Sequence, residues 1–440
     1  MADGARSDHP AVQAQLDRLS LLSPGRDVLG LERINAVMEL LGNPHLKLPP
    51  VFHVAGTNGK GSTCAFLRAA VEAEGLKAHV YSSPHLVRFN ERIRLSGSLI
   101  EDEYLAQLLA RVLDESKDIN PSFFEATTAA AMLAFAETPA DACILEVGLG
   151  GRLDATNIVP HPAATGIAAL GIDHEAFLLS PEENTPDVPA VRIAWEKAGI
   201  AKRTVPLLTQ KYPDDMAKAI EAHAAVVGAQ YMPRGEHWDA AIYEGQLRYR
   251  DDHGKLTLPL PALPGAHQAD NAALAIAMLR HQDAIQISEA AFRAAMGWAK
   301  WPARLQKLPP GPLRDILPPD SETWLDGGHN VNAGDALAAH FTNYPDQSIH
   351  IIIGMLTNKD PAAIIQPLES KIASITAVPV DGHESHRADD FSAINMAINS
   401  APDVAEAFKA IAAHNPQVVL ISGSLYLAGA VLHANGQLPD

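Results

Sequence analysis

The sequence predicts an α/β protein with mostly parallel sheets, divided into two domains. Short apolar runs typical of strands alternate with helix-like stretches along most of the 440 residues. A glycine-rich loop joins the first of these runs to a helix. A proline-rich break near residue 310 is followed by renewed alternation, and a second, smaller α/β domain is therefore expected.

The first part of the chain contains five strand candidates with helices between them. This alternation predicts a parallel sheet with helices on both faces. The strands are expected at 50–55, 78–82, 142–148, 164–170 and 204–209, and the intervening helices include 62–74, 101–114 and 125–137.

Residues 230–262 have a different pattern, in which apolar and polar residues alternate around turn signals such as Glu244-Gly245. This alternation predicts antiparallel hairpins, and so a small sub-sheet on the first domain. Helix patterns resume at 268–281 and 287–298.

Five prolines between Pro309 and Pro319 mark the expected domain boundary. We predict a first domain at 1–300, a linker at 301–320 and a C-terminal domain at 321–440. Strands of the second domain are expected near 323–326, 349–354, 374–380 and 417–422.

Composition excludes several classes of protein. A formal net charge of −18 argues against nucleic acid or an anionic membrane as the main partner. The two cysteines, Cys64 and Cys143, are expected to be small core residues in a reducing cytosol. The N-terminus has no apolar signal region and no apolar run is long enough to span a membrane, so we expect a cytoplasmic location.

The stretch VFHVAGTNGKGSTC at 51–64 is the strongest functional signal. A strand that ends in a glycine loop and opens a helix is a phosphate cradle, in which backbone N–H groups and a lysine, here Lys60, face the anion. The usual P-loop pattern is incomplete, because Val54 stands where it has glycine and Gly61 where it has serine or threonine. A nucleotide triphosphate is the predicted ligand.

Three polar residues follow or interrupt later elements. Glu146 lies in a buried strand, where a carboxylate is costly unless it is paired or binds a metal, so it is a Mg²⁺ ligand candidate. His174 follows the strand 164–170, at the edge where open α/β sheets bind ligands. Lys197 lies in a helix, and a desolvated lysine with a lowered pKa can take up CO₂ as a carbamate. Each has an ordinary structural interpretation as well.

Eleven segments, in order along nearly the whole chain, resemble the folylpolyglutamate synthase/dihydrofolate synthase family of the Mur ligase superfamily. The family joins a carboxylate to an amino acid with ATP, and the resemblance implies a P-loop ATPase domain and a C-terminal Rossmann-like domain. The segments are VAGTNGKGS, YSSPHLVRFNERIR, FFEATT, LEVGLGGRLDATNIV, IDHEAFL, EKAGI, HQADNAALA, PARLQ, DGGHN, IGMLTNKD and SGSLYLAG.

The resemblance implies the ATP and metal sites. Ser83 and Glu146 match ligands of one Mg²⁺, and His174 matches a ligand of a second. Lys197 matches the family's carbamylated lysine, whose carbamate is expected to be a metal ligand together with His174, and K⁺ is a further candidate cofactor. Catalytic roles fall to Lys60, Lys197, His174 and Glu146. The ATP contacts are Gly56, Thr57, Asn58, Gly59, Lys60, Gly61, Ser62, Asn271, Arg304 and Asp326.

The resemblance also implies the sites of the two other substrates. The glutamate site is matched by His329 and Ser424. The pteroate or folate site is matched by Val28, Leu29, Gly30, Ser122, Phe124, Leu153, Asp154 and Ala155.

The chain departs from the family at two points. Gly328 replaces the usual alanine of the Asp-x-Ala-His-Asn motif, and the segment between His174 and Lys197 is longer than usual. We expect the additional residues to form a surface loop beside the metal site.

The chemistry expected is transfer of the γ-phosphoryl group to a carboxylate, followed by attack of the glutamate amine on the acyl phosphate. All three substrates are anions, so local cations are expected in or near the cleft at Arg88, Arg92, Arg94, Arg152, Arg304 and Lys359.

Two other functions remain open. A Mur-type ligase that acts on a UDP-sugar peptide would need a further N-terminal domain, and only about 50 residues precede the phosphate loop. A nucleotide-gated binding module would lack the metal set. If the substrate is a folate, the sequence leaves open whether the protein has one or both of the two glutamylation activities. We expect small-molecule partners and a monomer.

Overall fold

A computed structural model describes residues 5–22, 29–173, 175–180, 182–391 and 396–439. It confirms the predicted fold class, a mixed α/β architecture with a large, mostly parallel sheet, a small antiparallel sheet and a second parallel sheet near the C-terminus. The predicted division at residues 300 and 320 stays a prediction.

The large sheet has eight strands in the order β4-β3-β2-β5-β1-β6-β7-β8. Six of them are parallel, and β3 and β4 form an antiparallel edge. The strands are β1 Val51–Ala55, β2 Ala78–Tyr81, β3 Ile93–Leu95, β4 Ser98–Leu99, β5 Ala142–Glu146, β6 Ala164–Ile167, β7 Pro206–Thr209 and β8 Gln230–Pro233.

The antiparallel sub-sheet predicted at 230–262 is present but begins later than expected. It consists of β9 Trp238–Tyr243, β10 Gln246–Asp251 and β11 Gly254–Pro259. Residues 230–233 instead form β8, which pairs in parallel with β7. Apolar alternation has the same period in parallel and antiparallel strands, so the pattern alone could not separate them.

The third sheet has six strands in the order β12-β13-β17-β14-β15-β16, parallel except for β12. Its first strand lies within the predicted linker. The strands are β12 Gln306–Lys307, β13 Glu322–Leu325, β14 Ile349–Ile353, β15 Ile372–Ala377, β16 Ile398–Ser400 and β17 Val418–Ser422.

Helices cover both faces of the two parallel sheets, because each sheet has apolar side chains on both of its faces. The helices are α1 Pro10–Ser20, α2 Glu32–Leu40, α3 Lys60–Ala73, α4 Asp102–Glu115, α5 Phe123–Glu137, α6 Glu175–Leu178, α7 Pro189–Ala198, α8 Asp214–Val227, α9 His267–Arg280, α10 Glu289–Trp298, α11 Val331–Phe341, α12 Ala362–Ile365, α13 Val404–Ala412 and α14 Leu425–Ala434.

One strand prediction is too long for a reason that bears on the site. The apolar pattern extends from 164 to 170, but β6 ends at Ile167. The carbonyl of Ala169 instead accepts hydrogen bonds from Thr57 N and Asn58 N. The glycine-rich loop therefore takes the hydrogen bonds that a continuing strand would use.

Cys64 and Cys143 are both free and fully buried, as the sequence predicts. In the described parts of the chain no helix is both long and apolar enough to cross a membrane.

A buried ion pair fastens the sub-sheet to α9, the helix that carries Asn271. Arg280 donates two hydrogen bonds to the carboxylate of Asp251, at 2.6 and 2.7 Å, and Tyr249 donates a third. Burial raises the pKa of Asp251, but the bonds and charge of Arg280 outweigh it and hold the pKa below its usual value.

We predict that Asp251→Asn lowers the free energy of unfolding by about 3 kcal/mol at pH 7, because it leaves the Arg280 guanidinium unpaired. Because the pKa of Asp251 is lowered in the folded protein, its contribution to the free energy of unfolding is present above about pH 4 and is lost below it. Denaturant unfolding of both proteins between pH 3 and 7 measures this. The neighbouring exposed Asp252→Asn is the control, and an equal loss in both variants would contradict the prediction.

Candidate functional site

A single cleft of about 790 Å³ collects most of the predicted site residues. Its walls come from the carboxyl ends of strands in the eight-stranded sheet and from loops of the six-stranded sheet. Open parallel sheets bind ligands at this edge, because their helix N-termini and connecting loops converge there.

The glycine-rich loop 56–62 connects β1 to α3 and lines the cleft from Thr57 to Ser62. Besides its backbone hydrogen bond to Ala169 O, Thr57 anchors the loop through its hydroxyl. The hydroxyl donates to Gly171 O at 2.8 Å and accepts from Gly171 N at 3.1 Å. The ammonium of Lys60 donates to the carbonyls of Gly56 and Thr57. The first N–H groups of α3 have no acceptor within the helix, so they and Lys60 are available to an anion.

Two glycines of this loop leave room for neighbouring side chains. Gly59 has a positive φ of 81°, and a Cβ there would lie 2.3 Å from Asn271 Oδ1. A Cβ on Gly61 would lie 2.2 Å from the indole ring of Trp301. This packing explains why Gly61 replaces the hydroxyl residue of the usual P-loop pattern.

Glu146 and Ser83 lie together on the cleft wall beside Lys60. Glu146 is 5% exposed, and its carboxylate accepts a hydrogen bond from Ser83 N at 3.3 Å. Burial raises the pKa of Glu146, and the positive charge of Lys60 opposes that rise. A buried carboxylate next to a hydroxyl fits Mg²⁺, which usually takes one or two protein carboxylates and completes its shell with phosphate oxygens and water.

Lys197 lies in the last turn of α7 and is 4% exposed. Burial lowers its pKa to about 7, and the charge of Lys60 acts in the same direction. It is not among the cleft-lining residues, although Asp154 and Asp173 lie near enough to interact with its charge. His174, predicted as its partner at the metal, lies outside the described residues.

The predicted pteroate residues line one end of the cleft together, from Leu29 to Ala155. The ring of Phe124 covers Gly148, where a Cβ would lie 2.3 Å from it. Ser122 caps α5 by accepting a hydrogen bond from Glu125 N. Asp154 is buried and accepts from Leu149 N and from Thr156 N and Oγ1, so it shapes the turn. Val28 lies outside the described residues.

Residues of the C-terminal sheet form the opposite wall. The two carboxylate oxygens of Asp326 accept from Leu305 N and Gly328 N, which ties the Arg304 segment to the end of β13. His329 and Ser424 also line the cleft. Ser424 caps α14 by accepting from Leu427 N at 3.0 Å.

Contacts across the cleft join the two walls. Asp173 pairs with Lys359 and contacts His329 Nε2 at 3.3 Å. The side-chain amides of Asn58 and Asn330 exchange hydrogen bonds at 3.1 and 3.2 Å. The sequence did not single out Asp173 or Asn330, although they adjoin His174 and His329 in quoted segments.

Charges in the cleft are balanced among the residues described. Three of the six predicted cations line it, namely Arg92, Arg304 and Lys359. Arg88 donates to Pro439 O and Arg152 pairs with Glu182 and Glu196, and neither lines the cleft. The cationic residues described along the cleft are Lys60, Arg92, Lys211, Arg234, Arg304 and Lys359. The acidic residues are Glu125, Glu146, Asp154, Asp173, Asp270 and Asp326. The formal charges of these lining side chains therefore cancel in number.

Sequence reasoning missed one part of the wall. Gln210 and Tyr212 follow β7 directly, and Arg234 follows β8. Arg234 donates to Gln210 Oε1 and to Asp270 Oδ1 at 3.0 and 2.7 Å. The rule that selected His174, that polar residues after parallel strands meet at one edge, also applies to these residues.

The long segment between His174 and Lys197 is at the surface as expected, and it also contacts the helix of Lys197. Glu182 accepts from Arg152 at 2.6 Å and from Arg192 at 2.9 Å. Both guanidiniums also pair with Glu196. Four charges therefore join this segment to the start of the 151–157 turn and to α7.

A phosphate-binding loop, a buried carboxylate and hydroxyl beside it, and a second α/β unit on the same cleft fit one class of protein, the ATP-dependent ligases. In that class, phosphate activation and a second substrate share one site.

Comparison with known proteins agrees with this class. The family model described as "Dihydrofolate synthetase, C-terminal domain" matches residues 313–434. The "Dihydrofolate synthase/folylpolyglutamate synthase" of Escherichia coli is 34% identical over 92% of this chain and 90% of its own length. The chain belongs to the dihydrofolate synthase/folylpolyglutamate synthase family, as its sequence motifs predict.

Solved structures give the same result. E. coli FolC in complex with DHPP and ADP has a TM-score of 0.85 and 32% identity, over 97% of both chains. A bifunctional folylpolyglutamate synthase/dihydrofolate synthase with Mn, AMPPNP and L-glutamate bound has a TM-score of 0.82 and 31% identity, over 96% of this chain and 97% of that one. These matches confirm the predicted fold class.

Gly61→Ser completes the usual P-loop pattern, yet we predict that it harms this protein. The added side chain overlaps the Trp301 ring, which we expect to lower the free energy of unfolding by about 2 kcal/mol. Nucleotide affinity should fall with it. Gly297→Ser is the matched control, since a Cβ on Gly297 meets nothing within 4 Å. Denaturant unfolding and nucleotide titration test this, and a Gly61→Ser protein as stable as the Gly297→Ser control would refute it.

We predict that Lys197→Met stabilises the fold at low pH. A buried lysine with a pKa of about 7 binds fewer protons in the folded chain than in the unfolded chain, where its pKa is about 10.4. The loss of folding free energy caused by burying Lys197 is therefore complete below about pH 7 and becomes smaller as the pH rises toward 10. Unfolding in CO₂-free buffer from pH 6 to 9 measures the difference from wild type. The exposed Lys218→Met is the control, and a pH-independent difference for Lys197→Met would contradict the prediction.

Proposed function

We propose that the protein joins L-glutamate to dihydropteroate and to reduced folates, with ATP as the energy source and an acyl phosphate as the intermediate. The observation that carries this proposal is the meeting of three predicted substrate regions in one cleft. The phosphate loop, the Phe124 region and the His329–Ser424 region all line it. Its volume, about 790 Å³, is in the range of small-molecule sites.

The phosphate loop supports the first step. The ammonium of Lys60 and the opening N–H groups of α3 can hold the terminal phosphates of ATP near Glu146. A carboxylate oxygen of the pteroate then attacks the γ-phosphorus, and the bond to the β-phosphate oxygen breaks with release of ADP. Much of the rate comes from holding these groups in line.

Mg²⁺ fits the proposal, and Ser83 and Glu146 are the residues that would hold it. When bound, it supplies positive charge that neutralises the transferring phosphoryl group. We further propose a second ion near His174 and a carbamate on Lys197, whose lowered pKa leaves a large uncharged fraction for reaction with CO₂. We also propose K⁺ as a further cofactor.

The Phe124 end suits a planar, largely apolar ring. Leu29, Leu153 and Ala155 line it together with the Phe124 ring. Aromatic and aliphatic side chains around a few polar groups are typical of sites for flat heterocycles. This lining supports a pterin-bearing substrate over a UDP-sugar peptide.

The C-terminal wall supports the second step. His329, Ser424 and Lys359 line the same cleft as the phosphate loop, and the amino acid is proposed to bind among them. The glutamate amine attacks the acyl carbon, the carbon–oxygen bond to the phosphate breaks, and the amine loses a proton. The contacts between Asp173, Lys359 and His329 close the cleft over the acyl phosphate, which protects it from water.

We also propose that the enzyme acts as a cytoplasmic monomer. Its free, buried cysteines suit a reducing compartment.

The test is incubation of the full chain with ATP, Mg²⁺ and labelled glutamate, with 7,8-dihydropteroate or tetrahydrofolate as acceptor. We expect labelled product and ADP with both acceptors. Product with one acceptor alone would replace the bifunctional proposal with a single activity. Folded protein that binds ATP but labels neither acceptor would overturn it in favour of another Mur-type ligase or a binding module.

We predict that Glu146→Gln lowers the rate of both reactions at least 100-fold, because it removes the charge proposed to hold Mg²⁺ without changing the shape of the side chain. The matched control is Glu183→Gln, an exposed position outside the cleft. Initial rates at saturating ATP measure the effect. Similar rates for the two variants would show that Glu146 is not part of the metal site.

A further inference from the structure

A second, smaller cavity lies behind the phosphate end of the main cleft. Its volume is about 130 Å³, well above the space that a single water molecule needs. We call it the rear cavity. It shares Ser83, Pro84, Glu146, Arg304 and Leu425 with the main cleft, so the two spaces adjoin at the proposed Mg²⁺ position.

The polar lining of the rear cavity is mainly cationic. Arg68 from α3, Arg94 from β3 and Lys300 join the shared Arg304 around it. The lining carboxylates are Glu91 and Glu146. This differs from the main cleft, where cationic and acidic residues are equal in number.

Neither carboxylate cancels this positive charge freely. Glu91 accepts hydrogen bonds from Leu86 N, Val87 N and Arg88 N, so its carboxylate oxygens are held by the backbone of its own loop. Glu146 belongs to the proposed metal site. Burial raises the pKa of the Cys64 thiol, which therefore adds no negative charge to the lining.

Arg68 has an unused donor in the interior. Its Nε atom is buried and makes no hydrogen bond, although it forms an ion pair within α3 with Glu72 Oε2 at 3.8 Å. Glu72 Oε1 is likewise buried without a hydrogen-bond partner. A buried guanidinium N–H without an acceptor costs free energy. Arg94 donates to Gly97 O at 2.8 Å. An oxygen-rich anion in the cavity would supply the acceptor that Arg68 lacks.

One side of the rear cavity lies close to the protein surface. Lys300 is exposed at its edge, next to Trp301 and Pro302, and Pro439 lies on the same rim. Arg88 holds this rim by donating to Pro439 O at 3.1 Å.

We infer that the rear cavity binds a tetrahedral oxyanion, and that inorganic phosphate from the ligase reaction is its occupant. The assignment of the occupant rests on the proposed function. When the amine displaces the phosphate from the acyl carbon, the phosphate leaves with the bonding electron pair beside Ser83 and Glu146. Arg68, Arg94 and Lys300 then draw it away from the cleft, while the amide product and ADP leave through the larger opening.

The first test measures phosphate binding with the main cleft filled by Mg²⁺ and AMPPNP, so that the phosphate loop cannot bind the added anion. We expect calorimetry to detect inorganic phosphate binding to this complex, and crystals soaked in selenate to give an anomalous peak within hydrogen-bond reach of Arg68. Arg68→Gln should weaken phosphate affinity about tenfold, the usual effect of losing one charged hydrogen bond. Arg68→Lys should recover part of it.

Controls separate this site from general charge effects and from misfolding. Arg293→Gln removes an exposed arginine on α10 and should leave phosphate affinity unchanged. Lys300→Gln, at the exposed rim, serves as a second variant if Arg68→Gln does not fold. Absence of phosphate binding, or equal affinity in Arg68→Gln and wild type, would overturn the inference.

A kinetic measurement tests the occupant. If phosphate leaves through the rear cavity, the inhibition constant of added phosphate should rise about tenfold in Arg68→Gln, with the KM for ATP unchanged. An unchanged inhibition constant would reject phosphate release by this route. Failure of the proposed function has a separate signature, in which no amide forms from any acceptor while the calorimetric binding of phosphate persists.

Discussion

The rest of the site depends on how the glycine-rich loop is held between β1 and α3. Ala169 O accepts from two loop amides, and Thr57 exchanges hydrogen bonds with Gly171. These bonds replace the continuation of β6 and turn the start of α3 into the cleft. Because Gly59 and Gly61 have no side chains, α9 and Trp301 approach the loop closely. The position of Lys60 is therefore set by backbone contacts that do not involve a ligand.

Electrostatics then determine how the cleft works. Among the described residues, the lining of the main cleft has as many acidic as cationic side chains, so a divalent cation bound there would favour anionic substrates. The rear cavity has the opposite character, with Arg68, Arg94 and Lys300 on its wall. Because the two spaces differ in charge, the main cleft can hold the phosphoryl group during transfer while the rear cavity takes up the released phosphate.

Burial gives the remaining residues their character. Glu146 and Lys197 are both almost completely buried, and burial shifts the pKa of each toward its uncharged form. The four-charge network of Glu182, Arg152, Arg192 and Glu196 joins the long segment before α7 to the turn at 151–157. A segment that the sequence predicts as a simple surface loop thus helps to support the helix of Lys197.

The sequence by itself determined the fold class, the family and the phosphate loop, because these depend on local patterns: apolar periodicity, glycines at a strand–helix junction and motifs in fixed order. It also named part of the cleft lining, from Leu29 to Ser424. The tertiary structure alone decided which polar residues share a wall. Gln210 and Arg234 line the cleft because adjacent parallel strands end at the same edge of the sheet. Arg152 does not line it, because its guanidinium pairs with Glu182 and Glu196 instead. Such pairings join residues far apart in the chain, and their spacing in sequence carries no record of them.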